Sequence, residues 1–451
     1  MATYPDVVVV IPGIMGSTLL DHDGREIWGL RAGTLVRGLL TLARGVRRLG
    51  LPDGIGDGPA GDGVTPGTLL PDLHVIPGLW TISVGYSTLL GHLRRTHEVV
   101  EFAYDWRLSN RHSARLLKST VEPALARQRE RHADAKLVFV CHSMGGLIAR
   151  WYVDREGGAE LTRSLITIGT PHRGAASAID RLVNGVHKGL GPFALDLTGV
   201  ARSLPSLHQL LPDYACVEDG GGLRRITDGG LPELVSTMVT DGVAFHEELD
   251  AAVRSDPGYQ LHPLVGFRHP TATTVRIAGS RAVMVRTIEG EDEKGDSTVP
   301  RLSAVPRGWL VANPAAVHHV DDTHTALPGN VGVLNQIDGI LTAQRVEHLA
   351  VEVPIGVTVD ELVVAGEPVT VTAELDDPHV LVFARVVDAA SGALVDSAPL
   401  RVAGERLAVT FDGLPPGAYR VVVGRGGPAR LLDTVTTATV VLDPAALNED
   451  R

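Results

Sequence analysis

The chain has 451 residues, 44% of them hydrophobic, so it can bury at least one large core, and its length predicts two or three domains rather than disorder. A net charge of −12 argues against a broad basic surface, and no nucleic-acid partner is expected. No uninterrupted apolar run approaches the roughly 20 residues that a spanning helix needs, so any membrane contact is expected to be local.

The first predicted strand, residues 7–11, is reached without a basic leader, a long apolar stretch or a cleavage site, and no export signal is expected. Pro12-Gly13-Ile14-Met15-Gly16-Ser17 follows it as a tight turn in which glycine lets backbone approach a ligand closely. Residues 30–49 carry Arg31, Arg37, Arg44, Arg47 and Arg48 with no acidic residue, interleaved with leucines. That composition fits an interfacial helix, with Leu35, Leu39 and Leu40 as candidate substrate or membrane contacts and peripheral membrane binding through 30–49. An ordinary cap helix with solvated arginines fits it too, and Gly33, Gly38 and Gly45 lower helix propensity in either case. The Gly/Asp-rich stretch 53–63 reads as a flexible connector.

A second strand is predicted at 99–103, followed by Tyr104-Asp105-Trp106-Arg107. An ion pair and a buried indole there would hold a cap against the core; direct contact of Trp106 with an acyl chain is the second reading. Continuous apolar runs at 137–140 and 165–168, with helical patterns between strands, predict a parallel sheet buried on both faces. Residues 274–278 are read as a further strand.

Cys141-His142-Ser143-Met144-Gly145 stands between the strand KLVFV and the helical pattern GLIARWYV, the strand, tight turn, helix order of a nucleophile elbow. Small residues are needed two before and two after the serine; Gly145 complies and Cys141 stands where glycine is usual. Serine needs a base and the base an orienting carboxylate, and both are expected downstream. In Gly295-Asp296-Ser297-Thr298-Val299-Pro300, Asp296 is the best acid, ahead of Glu291, Asp292 and Glu293 in a charged run. His324, in a loop after the strand-like VHHV, is the expected base. His318 and His319 point to opposite faces of that run and need no catalytic role, and His142 is expected to face away from the serine. Met144 and Ile14 N–H are the expected oxyanion donors; a plain Pro-Gly turn explains the latter equally, and Pro77-Gly78 is a rival. His172, in Thr170-Pro171-His172-Arg173-Gly174, reads as part of a structural loop near the site, with substrate contact as the alternative.

Cys141 and Cys216 can make at most one bridge, and Cys141 adjoins the expected nucleophile, so a reducing cytoplasm is expected. No cluster has metal-ligand spacing and no Gly-rich phosphate loop leads from strand to helix, so neither a metal nor another cofactor is expected.

After about residue 350 helical patterns vanish and Val/Thr-rich alternation appears between turn signals, predicting an all-β, immunoglobulin-like sandwich. This tail carries −8 of the net charge. The expected division is a catalytic domain over 1–345, with cap insertions near 22–75 and 175–270, and a sandwich over 350–445.

In order, VVVIPGIMGSTL, VIPGLWTISVGYSTLLGHL, AYDWRLS, VCHSMGGLIARWY, ITIGTPHRGA, RSLPSLHQLLP, GDSTVP and HTAL resemble the lecithin:cholesterol acyltransferase family over roughly residues 5–335. The resemblance implies an α/β-hydrolase fold with a cap and a membrane-contacting subdomain, an acyl-serine intermediate, and release of the acyl group to water or an alcohol. It supports Ser143, Asp296 and His324 as triad and Ile14 and Met144 as oxyanion donors. The disulfides of secreted animal members have no counterpart here, sterol acceptance does not carry over, and the resemblance leaves the sandwich unexplained.

The expected function is therefore a lipase, phospholipase or acyltransferase acting on lipid acyl esters. A carboxylesterase for small soluble esters is the second reading. The third is a hydrolase serving a larger system, with the sandwich as a docking module for a protein partner.

Overall fold

The computed structural model describes residues 5–29, 49–52, 54–71, 74–76, 80–82, 86–188, 195–218, 220–229, 231–232, 234–252, 257–309, 317–342, 355–360, 362–374, 381–403, 406–427 and 430–442. Residues 30–48 fall outside this set, and with them Leu35, Leu39 and Leu40.

The centre of the molecule is a six-stranded parallel sheet. Its strands are β1 (Val7–Ile11), β2 (Glu98–Glu101), β3 (Leu137–His142), β4 (Thr162–Ile168), β5 (Gln260–Gly266) and β6 (His318–Val320), in the spatial order β2-β1-β3-β4-β5-β6. The run VVVVI forms β1 because both its faces are covered. Val7, Val9 and Ile11 join one apolar core, and Val8 and Val10 join the other. Helices α1 (Tyr86–Leu93), α2 (Asn110–Arg129), α3 (Met144–Arg155), α4 (Ala176–Val183), α5 (Ser236–Ala251) and α6 (Val331–Leu341) accompany the sheet. Both core faces are thus layered as in an α/β-hydrolase fold. Strand order reverses between β1 and β3, and the crevice at such a switch point is where open α/β sheets bind ligands.

Two sequence readings need correction. Thr274–Ala278 is a strand, but it pairs antiparallel with Arg281–Val285 and parallel with Val217–Glu218 in a separate small sheet. The fifth parallel strand is instead β5, inside the span 175–270 read as a cap insertion. His262 and Pro263 interrupt its apolar run, and proline lacks the N–H a central strand uses. Of the 53–63 stretch, the described residues 54–63 are anchored rather than loose: Asp62 accepts from Arg107 Nη1 at 2.8 Å, and Asp57 O accepts from Arg115 Nη2 at 2.8 Å.

Arg107 is fully buried, and its guanidinium makes two bonds to Asp105, at 2.9 and 2.7 Å. Trp106 is 2% exposed, donates from Nε1 to Ser17 O at 3.2 Å, and meets Trp28 edge-on with centroids 4.9 Å apart. It does not line the cleft described below, so the reading of Trp106 as a substrate contact is corrected to a core indole. Among the described residues no helix is long and apolar enough to cross a membrane.

From residue 355 on, the described residues form a β-sandwich. Its strands are β7 (Gly356–Val359), β8 (Leu362–Val364), β9 (Val369–Glu374), β10 (Val382–Asp388), β11 (Leu394–Pro399), β12 (Arg401–Ala403), β13 (Arg406–Phe411), β14 (Gly417–Gly427) and β15 (Arg430–Leu442). They form the sheets β7-β9-β13-β12 and β8-β15-β14-β10-β11. Alternation does the work expected of it: Val369, Val371 and Ala373 of β9, with Leu407 and Phe411 of β13, point into the core between the sheets.

Candidate active site

At the end of β3 the chain turns so sharply that Ser143 takes φ 52° and ψ −127°, a left-handed backbone that costs a non-glycine residue roughly 1–3 kcal/mol. The turn closes only because Gly145 lacks a side chain: a Cβ there would lie 2.5 Å from Pro12 O and 2.6 Å from Ile11 O. Cys141 fits two residues earlier as a fully buried strand residue, paired with Ile11 and Thr167. Thr170 Oγ1 donates to Ser143 O at 2.9 Å and fixes the elbow from the next strand's end.

His324 reaches Ser143 from the loop after β6. Its Nε2 lies 2.8 Å from Ser143 Oγ, and its Nδ1 lies 2.7 Å from Asp296 Oδ2. Asp296 is 1% exposed, and its Oδ1 accepts from Thr298 N at 3.0 Å and Val299 N at 2.7 Å. These two amides hold the carboxylate so that its other oxygen faces the imidazole. The backbones of Asp296 and His324 are also joined, His324 N donating to Asp296 O at 2.7 Å. Gly169 and Gly266 are required by this packing, since a Cβ on the first would sit 2.9 Å from Asp296 Oδ2 and on the second 2.4 Å from Asp296 Cβ. Of the rivals, Glu291 and Asp292 are exposed on a hairpin, and His318 and His319 lie on β6 rather than in the cleft.

The turn after β1 faces Ser143. Gly16 N donates to Gly13 O at 3.0 Å, and Ile14 sits at the tip, lining the cleft. Three aromatic side chains pin this turn: Tyr104 OH donates to Pro12 O at 3.0 Å, Gly13 N donates to Tyr86 OH at 2.7 Å, and Trp28 Nε1 donates to Met15 O at 3.0 Å. Met144 opens α3, where a first-turn amide has no intrahelical acceptor and is free for a ligand.

The His142 ring lines the cleft alongside Ser143, its centroid 4.9 Å from that of His324, and it has a job that sequence reasoning missed. Tyr86 OH lies 2.8 Å from its Nδ1, and its Nε2 lies 3.0 Å from His324 O. Burial, reinforced by the neighbouring His324 ring, holds the His142 pKa well below the usual histidine value. A neutral ring protonated on Nε2 satisfies every bond: Gly13 N–H donates to Tyr86, Tyr86 O–H to Nδ1, and Nε2–H to the His324 carbonyl. The turn after β1 and His324 are thereby tied to one side chain. The tyrosine 56 residues upstream gave no local signal for this.

His172 is buried, with Nε2 3.1 Å from Thr167 Oγ1, and takes the structural role. Both cysteines are free and buried. Among the described residues no group of histidine, cysteine and acidic side chains is arranged to hold a metal ion. The cleft above Ser143 measures 340 Å³, at the small end of ligand sites.

Residues 84–222 match the family model described as lecithin:cholesterol acyltransferase, and this stretch includes the elbow serine, α1 with Tyr86, and Thr170. The likeness to the lecithin:cholesterol acyltransferase family is to this stretch of the chain. For an acyltransferase-family segment, an acyl-ester hydrolase or transferase is the supported activity class. No curated protein matches the chain. Among solved structures, a lipase from Bacillus licheniformis in propeptide form aligns at 10% identity over 97% of this chain and 94% of its own, with a TM-score of 0.37. A Listeria innocua gene product aligns at 10% identity over 76% of this chain and 96% of its own, with a TM-score of 0.30. The CARDB domain of a Pyrococcus furiosus protein aligns at 13% identity over 21% of this chain and 95% of its own, with a TM-score of 0.15. Three further partial matches are to proteins of which this chain spans 12–21%.

Proposed function

We propose that this protein is a serine acyl-ester hydrolase or transacylase of lipid esters, with Ser143 as nucleophile, His324 as base and Asp296 as its orienting acid. The observation that carries the reading is the continuous hydrogen-bonded array from the strained Ser143 through His324 to Asp296, at the floor of a cleft. Ser143 Oγ passes its proton to His324 Nε2 as it attacks the ester carbonyl. Asp296 keeps the Nδ1 proton in place and stabilises the imidazolium. Negative charge developing on the carbonyl oxygen is met by the Ile14 and Met144 N–H groups. His324 then returns the proton to the leaving alcohol, leaving an acyl-Ser143 ester, and water or a second alcohol takes the acyl group by the reverse sequence.

The arginine- and leucine-rich residues 30–49 supply contact with an anionic lipid surface in this reading. A reducing cytoplasm, with the protein at the membrane periphery, suits two buried free thiols. The compact 340 Å³ cleft favours the second reading, a carboxylesterase for small soluble esters.

Mixed phospholipid vesicles, with and without a long-chain alcohol, are incubated with wild type or Ser143→Ala and the lipids analysed by mass spectrometry. Ser143-dependent fatty acid and lysolipid identify a hydrolase, and a new ester of the alcohol identifies a transferase. No lipid turnover alongside turnover of short soluble esters moves the assignment to carboxylesterase.

A further inference from the structure

The cleft above Ser143 is not built by the hydrolase portion alone. Thr358 of β7 and Thr437 of β15 line it, together with Thr325 and Arg286 from the hydrolase side. The sandwich is fastened at this place. Thr323, the residue before His324, donates from Oγ1 to Thr436 O at 2.9 Å, one residue from Thr437. Val357 N, next to Thr358, donates to His269 Nδ1 at 3.4 Å, and His269 is bridged through its backbone to Gly295, which precedes Asp296. An ion pair of 3.5 Å joins Arg286 to Glu374 of β9. The sandwich therefore reaches the cleft beside both the His324 and the Asp296 loops.

The two walls differ in chemistry. The segment 171–210 contributes Ala175, Ala178, Leu207 and Leu210, a surface for hydrocarbon, with Ser177 and Arg181 among them. Against the sandwich the lining includes the hydroxyls of Thr325, Thr358 and Thr437 and the Arg286 guanidinium, which suit oxygen-rich groups, beside the apolar Val357 and Val359. An ester is itself two-sided, an apolar acyl chain on one side of the carbonyl and an alcohol on the other.

We propose that the C-terminal sandwich is a substrate-binding wall of this cleft, and that Thr358 and Thr437 recognise the hydroxylated alcohol portion of the ester while the acyl chain lies on Leu207 and Leu210. This inference rests on the acyl-ester reading above and gives the sandwich a role in specificity rather than docking. Thr358 is exposed and Thr437 half-buried, so both hydroxyls are within reach of a ligand. Thr→Val keeps the shape of each side chain and suits a strand.

The test compares octanoyl esters of glycerol and of 1-propanol, identical in acyl chain and in alcohol carbon count and different only in hydroxyls. The T358V/T437V variant is expected to lower the ratio of kcat/KM for glycerol over propyl ester by about threefold to tenfold, the range for one net hydrogen bond. Val402→Ser, on an exposed sandwich position, is the control and keeps the wild-type ratio. A second series, p-nitrophenyl esters from butanoate to dodecanoate, reads acyl length. An unchanged alcohol ratio in a variant that melts at the wild-type temperature overturns the inference, as does a shift in acyl-length preference without one in the ratio. Throughout, a fluorophosphonate probe reports on Ser143. Wild type that neither turns over these esters nor takes up the probe overturns the acyl-ester reading and this inference with it; probe uptake with an unmoved ratio overturns the inference alone.

Discussion

Asp296→Asn isolates the electrostatic part of the proposed mechanism with little change in shape. Oδ1 of Asp296 accepts from two amides and Oδ2 faces His324 Nδ1. An asparagine placed there keeps the two amide bonds by putting its carbonyl oxygen at the Oδ1 position. Its NH2 group then faces Nδ1 and can only donate, so the imidazole must carry its proton on Nε2. In that tautomer it points an N–H at Ser143 Oγ and cannot accept the serine proton. The change also removes the negative charge that stabilises the imidazolium. The expected loss in kcat is about 10⁴-fold, the size seen when such a triad acid is neutralised, or roughly 5.5 kcal/mol of transition-state stabilisation. Hydrolysis of p-nitrophenyl butyrate at pH 7 measures it, with circular dichroism and a thermal melt to establish that the variant is folded. A folded variant retaining more than a tenth of wild-type kcat would refute the assignment of Asp296.

Tyr86→Phe removes the hydroxyl that joins the Gly13 amide to His142; leaving that buried N–H without an acceptor is expected to cost about 1–3 kcal/mol in denaturant unfolding and to lower kcat more than it alters KM. Gly145→Ala drives a Cβ to within 2.5 Å of Pro12 O, and urea titration should show a loss of about 1–3 kcal/mol together with loss of esterase activity. Burial lowers both His246 and His269 to about 4, below their value in the unfolded chain. Between pH 6.5 and 4 the unfolded state binds the extra protons, so stability is full above 6.5 and falls on acidification, by roughly 3 kcal/mol per histidine by pH 4. His246→Phe should flatten that part of the stability profile relative to wild type, and an unchanged slope would remove His246 from the account.

The elbow was legible because local signals agree at one place: a continuous apolar strand, a small residue after the serine and a helical pattern behind it. The meeting of Asp296 and His324 with Ser143 was legible through chain order and loop setting. What escaped were contacts between distant segments. Nothing near Tyr86 marks it as the partner of His142, and nothing near Thr436 marks it as the acceptor for Thr323, 113 residues away. β5 escaped because His262 and Pro263 break the apolar run on which a buried strand is recognised. Residues 274–278 were legible as a strand but not as a member of a side sheet, since five alternating residues carry no record of their neighbours. The sandwich was legible from its alternation. Its place at the cleft was not, because β7 and Thr437 meet the hydrolase loops only in three dimensions.

The most direct test of the central claim is to react the purified protein with a fluorophosphonate and map the adduct by peptide mass spectrometry. One adduct on the peptide carrying Ser143, absent in Ser143→Ala and formed far more slowly in His324→Ala, is the predicted result. Ester turnover by wild type with Ser143 unlabelled, or with the label on another residue, would contradict it.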